Sequence, residues 1–209
     1  MDYLSEKEQV ELIKKWWRDY GLAILVAIII GLAVGFGWRY WIRHKVEKTQ
    51  EASVIYTELQ GASIQQQFTV AEGLVNRLMS RYPNTPYASM GALLSARNAV
   101  LQHDLKKALD QLQWVIKNSR MESVKQIARV RAARIFLSEK QYQLSLALLN
   151  TVNDPVYQPL IDMVKGDVYR ALGKTQLANQ AYQNAKNGFE ANGIVDTFLN
   201  MKISQKLFG

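Results

Sequence analysis

Residues 163–186 read MVKGDVYRALGKTQLANQAYQNAK, and two earlier stretches can be set above them: ALLSARNAVLQHDLKKALDQLQWVI at 92–116 and RAARIFLSEKQYQLSLALLNTV at 131–152. In each, an apolar helix of about four turns ends in a short polar break, and a second helix follows. The breaks are Gln102-His103-Asp104, Ser138-Glu139-Lys140 and Gly173-Lys174. The second helices place Ala108, Ser145 and Ala178 at matching positions. Leu112, Leu149 and Tyr182 come four residues on, and Val115, Val152 and Ala185 three further. The first helices match through Ala96, Ala133 and Gly166, followed three later by Ala99, Phe136 and Tyr169. The copies are offset by 37 and then 33 residues. Small residues where two helices cross, with large ones filling the gaps, let helix hairpins stack closely. The pattern predicts a stack of α-hairpins; the alternative is an unrelated helical bundle.

The rest of the chain is also read as helix, because no sustained two-residue alternation suggests a strand. A helix is expected over about 69–82, with Pro83 and Pro86 marking the turn after it. A last amphipathic helix, Ile194 to Leu207, is expected to cap the stack. Residues 41–60, WIRHKVEKTQEASVIYTELQ, hold no helix breaker. The helix upstream is therefore expected to run on into the repeat domain.

Upstream lies a different kind of sequence. Residues 22–38 carry no charge and no strongly polar side chain. As a helix they span roughly 25 Å, slightly less than a hydrocarbon core of about 30 Å. The flanks make up the difference. Trp16, Trp17 and Tyr20 precede the run, and Trp38, Tyr40 and Trp41 follow it. Amphipathic rings on both sides suit the two membrane–water interfaces. Lys14, Lys15 and Arg18 on one side, and Arg39, Arg43 and Lys45 on the other, can snorkel to headgroups. A buried core helix would lack these belts. Ala33-Val34-Gly35 resembles a signal-cleavage site, but the preceding segment is too long and too acidic for a basic leader. The run reads as an uncleaved, single transmembrane anchor in the lipid bilayer. Gly31 and Gly35 have the spacing of close-packed membrane helix pairs. Four Lys/Arg in 1–20 and four in 38–57 leave the positive-inside rule tied.

Ser5 with Glu8 three residues on suggests a capping box, and Val10, Ile13, Trp16 and Tyr20 then share a face. A short amphipathic helix is expected there. The expected architecture is all-α in three parts: a tail at 1–20, an anchor at 21–41, and a repeat array with its capping helix at 42–209.

Charge and composition narrow the functions. The chain has 209 residues and a formal net charge of +8; residues 1–41 hold five basic and five acidic residues, so the excess lies in 42–209. Its basic residues are dispersed, without a run interleaved with aromatics, which argues against a nucleic-acid partner. The absence of cysteine excludes disulfides, a thiolate nucleophile and a zinc ribbon. His44 and His103 fit no metal-ligand spacing and read as an interfacial residue and a turn residue. No nucleophile elbow, phosphate-binding glycine loop or calcium loop is present. No catalytic, cofactor or metal site is therefore expected, nor a small-molecule substrate. Hairpin arrays bind proteins or peptides along extended surfaces. Arg97 and Arg134 occupy equivalent positions in successive copies, with Arg170 nearby in the third, so they form the candidate partner-binding face.

The repeat positions resemble the tetratricopeptide consensus, best in the third copy through Gly166, Tyr169, Ala178, Tyr182 and Ala185. The whole chain resembles the YfgM-type ancillary SecYEG translocon subunits. The resemblance is carried by Gln9-Val10-Glu11, the KKWW run, Gly21, and Gly37-Trp38-Arg39-Tyr40-Trp41 with His44. It continues through Ala52-Ser53, Tyr56, Tyr87, Arg131-Ala132-Ala133-Arg134 and Met201-Lys202-Ile203. The more basic repeat domain departs from the family pattern. The resemblance implies a non-enzymatic inner-membrane protein with a cytoplasmic tail and a periplasmic repeat domain. It also implies association with the SecYEG translocon and with a membrane-anchored periplasmic chaperone of the parvulin-domain class. An envelope scaffold or signalling adaptor on the same array is the competing reading.

Overall fold

The computed structural model describes residues 6–152, 154–194, 199 and 201; within the first helix, the side chains of 6–9, 12, 13, 23, 24 and 27–29 lie outside that description. The expected capping pair at Ser5, and most of the expected helix from Ile194 to Leu207, fall outside it too. The described residues form eight α-helices and one 3-10 turn: α1 Glu6–Ile64, α2 Phe68–Arg81, α3 Pro86–Leu101, α4 Leu105–Asn118, α5 Glu122–Ser138, α6 Tyr142–Leu149, the turn Pro155–Tyr157, α7 Gln158–Ala171 and α8 Thr175–Ala191. The all-α expectation holds. Residues 6–20, where a short amphipathic helix is expected, are helical and run on into the rest of α1 without a break. No proline interrupts that stretch, and Gly21 alone is too weak a breaker to end a helix.

The chain divides into two compact units, residues 1–48 and 49–209. In the first unit, large apolar side chains are left uncovered: Leu22 is 77% exposed and Phe36 71%. Among the described residues no helix is long and apolar enough to cross a membrane. Ala23, Ile24, Ala27, Ile28 and Ile29 of the apolar run are among the side chains left undescribed.

The second unit is a stack of hairpins, and the aligned sequence positions form its core. All nine matched residues of the second helices, from Ala108 to Ala185, are at most 7% exposed. Ala96, Ala99, Ala133 and Gly166 are buried as well. Where Ser145 takes the place of alanine, its hydroxyl donates to the Ala133 carbonyl at 2.8 Å, so the crossing stays close without an orphaned polar group.

The described residues form four hairpins, one more than the three that align in sequence. Moving back 37 residues from the first copy leads to Leu59, Ala62, Ala71, Val75 and Leu78, all buried together where the end of α1 meets α2. The register is repeated in the backbone. Gln66, His103, Lys140 and Gly173 have φ of 57°, 60°, 61° and 72°, one at each hairpin turn. The following residue donates its N–H to the carbonyl five residues back: Gln67 to Ala62, Asp104 to Ala99, Gln141 to Phe136 and Lys174 to Tyr169, at 2.8–2.9 Å. This is the six-to-one bond that closes a helix end through a left-handed residue. Of these four turns only the last uses glycine.

The core runs along the array without a break between hairpins. Ala88 of α3 joins the first cluster, Val124 and Ala128 of α5 join the α3–α4 cluster, and Ile161 and Val164 of α7 pack with Leu149 of α6. Leu199, 1% exposed, packs with Met163, Ala178, Tyr182 and Ala185 at the far end. Polar ties reinforce the stack: Asn98 Nδ2 donates to Ser63 Oγ at 2.9 Å, and Lys107 Nζ meets Glu72 Oε1 at 2.6 Å.

Candidate functional site

Two of the arginines singled out from the sequence line one groove. Arg97 of α3 and Arg134 of α5, one repeat apart, share it with Arg131, which lies one helical turn before Arg134. Ala96 and Val100 of α3, Leu105 and Leu112 of α4, and Ile135 of α5 make an apolar floor, and Ser138 stands at its edge. The groove encloses about 470 Å³. Its position follows from the stacking, because the first helices of neighbouring hairpins lie side by side and the residues one step past the buried Ala96 and Ala133 point out of the core. A larger depression of about 800 Å³ beside Asn76 to Arg81 is lined by α2 alone and has no such floor.

The groove is positive and unneutralised. None of the ion pairs among the described residues involves Arg97, Arg131 or Arg134. Partial desolvation, and then the like charges of Arg134 and Arg97, lower the Arg131 pKa from its ordinary value. A guanidinium stays charged at neutral pH even so, and three of them over an apolar floor can hold carboxylates bidentately.

Arg131 was missed as a site residue, although it and Arg134 stand three apart on one helix face, the signal that could have found it. Arg170 lies elsewhere. Its Cζ sits 5.0 Å from the centre of the Tyr182 ring, and it does not line the groove. In the repeat register the counterpart of Arg97 and Arg134 is Asp167, which accepts a hydrogen bond from Tyr182 Oη at 2.8 Å. Burial first, and then the Asp167 carboxylate, push the Tyr182 phenol well above its ordinary value.

In the first unit, Trp16, Trp17, Tyr20, Trp38, Arg39, Tyr40 and Trp41 are exposed. The rings touch one another along the helix: Trp16 with Tyr20 at 6.0 Å, Trp38 with Trp41 at 5.8 Å, and Lys45 Nζ 5.4 Å above the Trp41 ring. A Cβ at Gly31 or Gly35 would meet nothing within 4 Å, so that face is open. His44 stacks on Tyr40, and His103 is the left-handed turn residue of α3–α4. No cluster of three or more metal-binding side chains occurs among the described residues.

Four stacked hairpins with an open basic groove define an α-hairpin repeat protein, a class that works by contact with other polypeptides. The chain belongs to the tetratricopeptide repeat-like domain family, whose profile matches residues 14–206. The resemblance read from the sequence is borne out by relatives named "Ancillary SecYEG translocon subunit". The one from Escherichia coli is 28% identical over 87% of this chain and 87% of the relative. That from Haemophilus influenzae is 27% identical over 88% and 89%, and that from Neisseria gonorrhoeae 25% over 96% and 97%. Those names describe a subunit of an assembly, not a reaction. No solved structure matches the chain.

Proposed function

We propose that this protein is a membrane-anchored, non-enzymatic adaptor of the SecYEG translocon, which uses its hairpin array to bring a periplasmic chaperone to exported polypeptides. The observation that carries the reading is the groove: Arg97, Arg131 and Arg134 stand unneutralised over an apolar floor, an arrangement suited to holding a polypeptide. The translocon enters through the relatives' names, which cover nearly the whole length of both chains. The chaperone, of the membrane-anchored parvulin-domain class, enters through the family resemblance.

Residues 21–41 are the single anchor in the inner membrane, 1–20 the cytoplasmic tail and 42–209 the periplasmic domain. The anchor is supported by the uncharged run at 22–38, its exposed apolar side chains, and the distance between its aromatic belts. From Trp17 to Trp38 an α-helix rises about 32 Å, close to a hydrocarbon core of about 30 Å. Anchoring confines a weak binder near the channel exit at high effective concentration, so modest affinity suffices.

The test is purification of the full chain from native membranes in mild detergent, with partners identified by mass spectrometry. Recovery of SecYEG together with a parvulin-class chaperone is expected. Recovery of an unrelated envelope assembly in their place would establish the scaffold reading. A C-terminal alkaline phosphatase fusion is expected to be active in cells; an inactive one would reverse the orientation.

A further inference from the structure

We infer that the groove between α3 and α5 binds an extended polypeptide segment in which acidic side chains alternate with apolar ones: the carboxylates meet Arg97, Arg131 and Arg134, and the apolar side chains rest on Val100, Leu105 and Ile135. The inference rests on the reading of this groove as the partner-binding face and names what the face selects.

The argument is one of complementarity. A guanidinium that no carboxylate neutralises is ordinarily surrounded by water. Here three of them border a floor that offers no hydrogen-bonding side chain, Ser138 at the edge apart. Water beside such a floor is poorly held, so a ligand gains on both counts if it replaces that water with apolar surface and brings its own negative charge. One carboxylate cannot satisfy three guanidinium groups spread over two helices. Arg97 belongs to one hairpin and Arg131 and Arg134 to the next, so the ligand must extend across the boundary between repeats. Strand-like alternation delivers this, because successive side chains of an extended peptide point to opposite sides. The apolar ones turn down onto the floor, and the acidic ones turn up toward the guanidinium groups that border it.

The neighbouring hairpins define the limits of the groove. In the register of Arg97 and Arg134, the preceding hairpin has Gln60 and the following one Asp167. The positive column is therefore two repeats long, with a neutral residue at one end and a carboxylate at the other. Asp167 is engaged by the Tyr182 hydroxyl and adds no positive charge, so the basic column does not continue into the third repeat. A segment carrying two or three carboxylates matches that column.

The experiment uses the detergent-solubilised full chain and fluorescent nine-residue peptides, the first two with both ends blocked. One carries three glutamates alternating with leucines, a second has glutamine for each glutamate, and a third keeps glutamine but has a free carboxyl end. Fluorescence anisotropy reads the affinity. The glutamate peptide is expected to bind at least about tenfold more tightly than the other two, as charge-assisted hydrogen bonds of this kind dictate. Arg131→Gln and Arg134→Gln should each weaken it by about tenfold, and Val100→Asp by a similar factor. Arg77→Gln, on α2, should leave it unchanged.

Equal binding of glutamate and glutamine peptides overturns the inference, as does failure of all three to bind. Equal binding of the free-carboxyl peptide assigns the groove to chain ends and overturns it as well. Displacement of the glutamate peptide by phosphatidylglycerol added as detergent mixed micelles, but not by phosphatidylcholine in the same form, assigns it to a membrane surface, with the same consequence. The adaptor reading fails separately: it falls if SecYEG is missing from the native complexes while the glutamate peptide still binds.

Discussion

The last hairpin and the two before it are built on one register with opposite choices. At the helix crossing, α3–α4 and α5–α6 pair an alanine with a leucine: Ala96 with Leu112 and Ala133 with Leu149. The α7–α8 hairpin pairs Gly166 with Tyr182, and a Cβ at Gly166 would come within 2.5 Å of the ring. The larger ring needs the missing methyl. One step further along, Arg97 and Arg134 face an open groove, whereas Asp167 accepts from the tyrosine hydroxyl and Arg170 lies against its ring. The hairpin closest to the family consensus thus consumes its charged residues internally. The degenerate hairpins, with an aliphatic side chain where Tyr182 stands, leave theirs open along the groove. Departure from consensus coincides with the open basic groove.

The sharpest test of this contrast is Gly166→Ala. The ring is 1% exposed and held at its hydroxyl, so it cannot swing away, and a loss of about 1–3 kcal/mol is expected from overpacking. Hydrogen exchange, which reports each hairpin separately, should show α7 and α8 losing protection while α3 and α4 keep theirs. Adding Tyr182→Leu recreates the Ala–Leu pairing of the other copies and should recover part of the loss. A double-mutant cycle with no coupling between the two sites would break the comparison.

A smaller effect separates the polar half of the same contact. Tyr182→Phe keeps the ring and removes the hydroxyl that donates to Asp167, at an expected cost of about 1 kcal/mol. The pH dependence carries the sign. The phenol is raised above its ordinary value of 10.0, by burial and then by Asp167, so its protonated form is favoured by folding. Its contribution is complete below pH 10 and is lost as pH rises beyond that value. Wild type should therefore lose stability to alkali more steeply than Tyr182→Phe. Tyr56 and Tyr82 are raised too and are common to both chains, so the difference between them isolates Tyr182. Parallel curves would show that neither burial nor the Asp167 bond favours the protonated phenol in the folded chain.

How much of this was legible in sequence depends on the kind of signal. The three aligned hairpins were readable because small and large residues recur at fixed offsets, and burial follows those offsets residue by residue. The hairpin formed by the end of α1 and α2 was not. Its register is kept by Leu59, Val75 and Leu78, which fit any amphipathic helix, and its turn residue is Gln66, which carries no turn signature. In the groove, Arg97 and Arg134 were legible through the repeat, and Arg131 only through its own helix. The floor could not be read at all, since Val100, Leu105 and Ile135 become one surface only when three helices are placed together. Arg170 was assigned by proximity in sequence, and strict register would have led to Asp167 instead.

The turns offer the finest version of the comparison. His103 and Lys140 adopt the left-handed backbone that Gly173 adopts, at φ of 60° and 61° against 72°. A side chain there brings Cβ against the following carbonyl, at a cost of about 1–2 kcal/mol that glycine avoids. Glycine offsets part of that gain by its greater freedom in the unfolded chain, about 0.4–1 kcal/mol. Lys140→Gly should therefore stabilise the α5–α6 hairpin by about 0.5 kcal/mol, and Gly173→Ala should destabilise α7–α8 by slightly more. Local hydrogen exchange on either side of each turn measures both. If Lys140→Gly lowered protection instead, the lysine would be supplying a contact that compensates its strained backbone. The turns would then differ in kind, and the equivalence of the hairpins would end at their helices.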